Sequence, residues 1–204
     1  MATGAVGARR GRSRPSGAEP PGLPTEPARL DALGTEFCLR KLTAMARTSH
    51  ELRTAMQGKG YPDDSIRRVL ARLTELRYVD DRQFAMMWVE DRHRNRGSSR
   101  TALRFELERK GVDRDLIDEA LEQIDGAHER ARAYQLASAK LRGAPARVRQ
   151  DEEGLRRRLV GMLARRGYPA GLSYAAVDEA LRDATDGTAM DDTAMDDTAP
   201  GDAP

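Results

Sequence analysis

Residues 48–76 read TSHELRTAMQGKGYPDDSIRRVLARLTEL, and this stretch decides the fold class. Thr48 followed three residues later by Glu51 forms a capping box, the sequence mark of a helix start. The helix is expected to reach about Gln57 and to stop at Gly58 and Gly60, because glycine accepts the left-handed conformation that closes a helix. Asp63 or Asp64 then caps a second helix. On it Ile66, Val69, Leu70, Leu73 and Leu76 fall on one face at helical spacing. A helix, a basic-Gly-apolar turn (Lys59-Gly60-Tyr61) and an amphipathic helix make one unit.

The unit recurs. Aligning Gly60, Gly111 and Gly167 places Leu52, Leu103 and Leu159 eight residues before the glycine, and Met56, Leu107 and Leu163 four before it. Lys59, Lys110 and Arg166 precede the glycine, and Tyr61, Val112 and Tyr168 follow it. Ile66 and Ile117, then Leu70 and Leu121, repeat on the second helix; in the third copy a four-residue insertion moves these positions to Val177 and Leu181. The copies are 51 and 56 residues apart. A helix pair with one apolar face cannot bury it alone, so a third helix or a neighbouring unit must cover it, and stacked units give an elongated molecule.

Working outward, a helix over about residues 36–47 is expected to bury Phe37, Leu42 and Met45. Asp80 with Gln83 is a second capping box, opening a helix through Phe84 and Trp88 that ends near Gly97. Ser98 or Ser99 starts the next, which ends at Gly111, and Asp113 caps one carrying Ile117, Ala120, Leu121 and Ile124. A helix over about 127–141, a linker over 142–150 and helices over about 152–166 and 174–183 complete the pattern. The fold class is therefore all-α, a tandem array of three-helix, helix-turn-helix-like modules over residues 32–79, 80–125 and 126–182. Residues 1–31, rich in Gly, Pro, Ala and Arg, and residues 183–204, with Thr-Ala-Met-Asp-Asp twice, read as disordered tails.

Composition agrees. Only nine of 204 residues are aromatic and 33% are charged, which suits amphipathic helices and leaves little material for a large sheet. The single Cys38 excludes an internal disulfide and fits a reducing, cytoplasmic compartment. No apolar run is long enough to cross a membrane, and the arginines near the start are followed by no apolar segment of a secretory signal. The net charge of +2 divides into +2 for residues 1–31, +7 for 32–182 and −7 for 183–204. A basic body with an acidic end suits contact with a polyanion or with a protein wrapped around one.

The densest basic stretch holds Arg92, Arg94, Arg96, Arg100 and Arg104 with no acid between them, broken by Gly97-Ser98-Ser99. A helix starting there would offer free N–H groups and a positive dipole end to a phosphate or carboxylate, and arginine forks bind such groups bidentately. Arg156, Arg157 and Arg158 form a second candidate surface. Phe84 and Trp88, four apart on a helix, read as core. The adjacent Asp80 and Asp81 could serve acid–base chemistry, but Asp80 has its cap partner Gln83 and reads as structural. His50, His93 and His128 show no metal-ligand spacing, and no phosphate loop or nucleophile motif is present. The chain thus reads as a binding protein, not an enzyme, with no cofactor and no metal.

Residues 36–182 resemble the RecX family. The resemblance rests on Ser49-His-Glu-Leu-Arg with Lys59-Gly60-Tyr61, then Ile66, Val69 and Leu70 leading into Tyr78-Val-Asp-Asp-Arg-Gln-Phe-Ala85, with its Asp80, Asp81 and Phe84. Arg92, Gly97, Arg100 and Leu103 follow, then Glu106-Leu-Glu-Arg-Lys-Gly-Val112. The resemblance implies tandem three-helix modules, the glycines at 60, 111 and 167 marking their turns. It also implies a monomeric, non-enzymatic protein that binds the RecA filament and damps its ATP hydrolysis, strand exchange and co-protease action. Weaker, mainly electrostatic contact with single- and double-stranded DNA is expected beside it. The alternative is a helix-turn-helix transcriptional regulator, although such base readers normally pair one recognition helix with each half-site of a symmetric dimer.

Overall fold

The computed structural model describes residues 23–145 and 151–193, with side chains as far as Thr185. Among these residues there are helices and no strands. The first three are α1 (Pro27–Ala44), α2 (Ser49–Gln57) and α3 (Asp63–Glu75). Next come α4 (Asp81–Asp91), which runs into a π turn (Arg92–Arg96), α5 (Arg100–Arg109) and α6 (Arg114–Leu121). The last three are α7 (Gly126–Arg142), α8 (Glu152–Arg165) and α9 (Ala170–Thr193).

Each set of three encloses its own core. Leu52, Met56, Ile66, Val69 and Leu73 fill the first, Leu103, Leu107, Ile117 and Leu121 the second, and Leu155, Leu159, Leu163 and Val177 the third. The aligned leucines before each glycine are all buried, and Gly60, Gly111 and Gly167 have φ of 82°, 70° and 84°. Only glycine adopts that region without a Cβ clash.

Local chemistry sets the boundaries. The Thr48–Glu51 box is complete: Glu51 N–H donates to the Thr48 hydroxyl at 3.1 Å, and Thr48 N–H to the Glu51 carboxylate at 3.2 Å. Asp80 and Ser99 cap α4 and α5 from one side only, each accepting from the N–H three residues on. Asp125 and Asp151 cap α7 and α8 in the same way. Asp63 and Asp64 do not cap α3; Pro62 occupies that position, and the two acids lie in the first turn, where they complement the helix dipole. Asp113 holds the cap position of α6 without a side-chain bond.

Both expected tails are shorter than the composition implies. α1 starts at Pro27, a residue suited to a first helical turn. Leu30 is buried, and Asp31 accepts from the Ser65 hydroxyl and from Arg68 Nε, both at 2.6 Å. The buried face of α1 is Leu30, Gly34 and Cys38, and Phe37 and Leu42 only flank it. Met45 is exposed, because it lies past the last turn. A Cβ on Gly34 would sit 2.9 Å from Met56 Cε, so this face carries small residues because α1 packs closely. At the other end α9 continues through Asp183 to Thr193. A helix already docked through Val177 and Ala180 adds turns at little cost, since propagation is easier than nucleation. Residues 1–22, 146–150 and 194–204 lie outside the described residues.

Candidate functional site

The modules are joined by a repeated clasp. At the first joint the Thr48 hydroxyl donates to the Lys110 carbonyl at 2.6 Å, and Ser49 N–H donates to Asp81 Oδ1 at 2.8 Å. At the second, Ser99 N–H donates to the Arg166 carbonyl at 3.0 Å, and Arg100 N–H donates to Glu129 Oε1 at 2.9 Å. In each case the start of a module's second helix is held by the next module. That module supplies a carbonyl from its basic-Gly turn and a carboxylate from its first helix. The carboxylate is the anion expected at a helix N-terminus, so the start of α5 is satisfied by Glu129 and is not open to a ligand.

Lys110 does more than lend its carbonyl. Its ammonium lies 2.9 Å from Glu51 Oε1 and 4.4 Å from the centroid of the Trp88 ring, which stacks on Phe84. Arg92 packs over the same indole at 4.1 Å, and the indole N–H donates to Glu106 at 2.8 Å. Phe84 and Trp88 are therefore half-buried on the rim of the second core, not inside it. Asp81, read from sequence beside its neighbour Asp80, belongs to the joint.

The eight arginines singled out from sequence divide by environment. Arg92 is folded onto Trp88 with 15% of its side chain exposed. Arg100 donates to the Ile124 carbonyl at 2.7 Å and holds the start of α5 to the link between α6 and α7, and Arg104 pairs with Asp118 and fastens α5 to α6. Arg156 pairs with Asp178 at 2.7 Å and Arg157 with Glu153 at 3.0 Å. Arg94 is exposed and shares a 2.7 Å pair with Glu90. Arg96 and Arg158 are exposed and pair with no acid among the described residues.

The π turn gathers further cations around Arg94 and Arg96. Its carbonyls accept from the third module: Arg132 donates to the Arg94 carbonyl, and Arg166 Nε to the Arg96 carbonyl at 3.3 Å. Arg166 in turn lines a groove of about 540 Å³ between the end of α7 and the face of α8, together with Lys140, Arg158 and Arg165. A cationic band thus runs from Arg94 across the second joint to Lys140. Arg132 escaped the sequence reading because it lies 38 residues from its partner, outside either basic run.

Among the described residues, no group of His, Cys, Asp and Glu could hold a metal ion, and no helix is long and apolar enough to cross a membrane. Cys38 is buried, and burial pushes its thiol up to about 11, which leaves it unreactive.

The fold and its flank define a helical-repeat protein of three-helix modules carrying an exposed cationic band. The family model described as RecX, first three-helix domain, matches residues 36–73, and that described as RecX, second three-helix domain, matches residues 80–121. A protein named Regulatory protein RecX from Mycolicibacterium smegmatis is 45% identical over 161 residues, covering 76% of this chain and 84% of that protein. One of the same name from Thermobifida fusca is 44% identical over 165 residues, covering 79% and 86%. The crystal structure of RecX from Lactobacillus salivarius superposes with a TM-score of 0.61 at 16% identity, covering 74% of this chain and 96% of that one, a likeness of fold. The chain belongs to the RecX family of regulatory proteins.

Proposed function

We propose that this chain binds the filament that RecA forms on DNA and restrains it, lowering ATP hydrolysis, strand exchange and co-protease action in DNA repair and the SOS response. The observation that carries the reading is the cationic band across the second joint, on an array whose modules are clasped at fixed spacing. A band of this sign suits a protein-coated polyanion. Several modest contacts along neighbouring subunits add up to firm attachment without one strong site. Bridging subunits favours one relative geometry, and a filament whose ATP turnover needs that geometry to change is slowed. On this reading the chain acts as a monomer in the cytoplasm, has no catalytic residues and needs no cofactor; ATP belongs to the partner.

Arg94, Arg96 and Arg158, with Arg132 and Arg166 beside them, make the contact. Arg92, Arg100, Arg104, Arg156 and Arg157 contribute mainly by holding the modules in shape. Co-sedimentation with RecA filaments on single-stranded DNA tests this. Arg94→Ala with Arg96→Ala is expected to weaken binding and flatten its dependence on salt. Unchanged binding would overturn the assignment, and tight binding to one duplex sequence without RecA would favour a transcriptional regulator instead.

A further inference from the structure

We propose that the groove between α7 and α8 is the open end of the series of joints and takes an acidic segment of another protein, one that sets carboxylates beside an aliphatic side chain. At the second joint the next module's glycine turn seats between the end of the π turn and the first turn of α5. Arg166 there reaches the Arg96 carbonyl, and a Cβ on Gly167 would press on Ser99 and Ala102. The third module has the same two edges, residues 143–145 after α7 and Leu155 with Arg158 on α8, and they enclose the groove of about 540 Å³. Counted back from each turn glycine, Leu155 stands where Thr48 and Ser99 stand, and Arg158 where Glu51 and Ala102 stand.

The open end differs chemically from the two closed joints. α8 begins one turn earlier, at its cap Asp151, so the Leu155 N–H is already bonded to the Asp151 carbonyl at 2.8 Å. The equivalent N–H of Ser99 instead holds the next module's carbonyl. Side chains therefore replace the main-chain clasp. Arg158, Met162 and Arg165 follow one another at four and three residues, which puts them on one face of α8. With Lys140 across the groove they stand over a floor of Leu155 and Leu159. No acidic residue lines the groove, and Lys140, Arg158 and Arg165 pair with no carboxylate among the described residues. Arginine forks bind carboxylates bidentately, and the floor favours an aliphatic group.

Charge and register select among occupants. A second copy would offer the turn of its first module, Lys59-Gly60-Tyr61, and the lysine would meet Arg158. That module also lacks the clasp carboxylate: thirty residues before the glycine, where the second module has Asp81, the first has Leu30, buried in its own core. Nucleic acid would bring phosphates to the rim, but single strands are held by stacking bases on aromatic rings, and no aromatic residue lines the groove. An acidic, leucine-bearing protein segment satisfies both rim and floor. This deepens the filament reading by giving the Arg158 end of the band a protein ligand, and it rests on that reading only for which protein supplies the segment.

The test is titration of the nitrogen-15-labelled full-length chain with a short acetylated peptide of Glu, Asp and Leu. RecA is absent, so the outcome stands apart from any effect on the filament. Amide shifts should centre on Lys140, Arg158, Met162 and Arg165. Arg158→Gln with Arg165→Gln should weaken the peptide about ten-fold, and replacing its leucines by serine should do the same. Arg94→Ala with Arg96→Ala should leave its affinity unchanged. Absence of shifts along α8, or equal affinity for the serine peptide, would overturn the proposal. So would a single-stranded oligonucleotide that moves the same amides at lower concentration, which makes the ligand nucleic acid. Shifts at these amides that grow with the concentration of the chain alone would overturn it too, since they place a second copy in the groove.

Discussion

The hydroxyl of Thr48 and the main-chain carbonyl of Lys110, 62 residues apart, are joined by a 2.6 Å hydrogen bond. Thr48 completes the capping box of α2 with the same oxygen, so one residue both starts a helix and ties the first module to the second. Thr48→Ala should therefore cost more than an ordinary cap: about 2 kcal/mol, the upper end for such residues. Thr48→Ser, which keeps the oxygen, should cost little. Urea denaturation of both variants measures the difference.

The same joint holds an ion pair. Glu51 and Lys110 are 22% and 19% exposed, sheltered compared with the surface pairs along the chain. A double-mutant cycle with Glu51→Gln and Lys110→Met should give a coupling of about 1 kcal/mol, at the top of the range for surface pairs. A coupling near zero would mean that the aromatic contact, not the charge pair, is what Lys110 contributes.

The three turn glycines are not equivalent. All have positive φ, so an alanine costs about 1–2 kcal/mol of backbone strain at each. At Gly60 a Cβ meets nothing within 4 Å, whereas at Gly111 it would lie 2.1 Å from His50 Cγ and 2.4 Å from its Cβ. At Gly167 it would press on Ser99 Oγ at 2.7 Å and Ala102 Cβ at 2.8 Å. Overpacking adds about 1–3 kcal/mol, so Gly111→Ala and Gly167→Ala should fall well below Gly60→Ala in thermal melting.

These turns show what the sequence carried and what it did not. α2, α3 and their glycine hinge were legible because caps, period and breakers all lie within a few residues of one another. The joints were not, because Asp81 and Glu129 find their partners 32 and 29 residues away and look like ordinary helix-start acids. α1 begins well before residue 36 because its packed face is Leu30, Gly34 and Cys38, which carries little apolar signal in the sequence. Leu76 looked like core by spacing, yet it caps α3 and is exposed. The arginine runs were visible, but not which guanidinium would face solvent and which would hold a neighbouring helix.

Arg77 is the one non-glycine with positive φ among the described residues, at 60°. It closes α3, with Tyr78 N–H bonded to the Leu73 carbonyl at 2.9 Å, a position where glycine is usual. Arg77→Gly should leave stability unchanged or raise it by up to about 1 kcal/mol, and Arg77→Val should lower it. The cap of α4 survives either change, because Asp80 is held chiefly by Gln83 N–H, its link to Arg77 being secondary.

Acid should loosen the joints and caps together. Burial pushes the Glu51 carboxyl up, but the bonds from Lys110 and from Thr48 N–H outweigh it and leave it below its ordinary 4.5. The backbone N–H groups of Gln83 and His128 hold Asp80 and Asp125 below 3.8. A carboxyl whose folded value is depressed contributes stability that is complete above its unfolded value and is lost as pH falls through the folded one. Stability should therefore be flat with respect to these groups above about pH 5 and fall below about pH 4.5. Glu51→Gln should show a shallower fall in pH-jump denaturation.

The most direct test of the account is the ATPase of RecA on single-stranded DNA, titrated with this chain. Inhibition is predicted at far fewer copies of the chain than of RecA, weakened when Arg94 and Arg96 are replaced by alanine and preserved in Gly60→Ala. An ATPase rate unaffected by equimolar chain would contradict it.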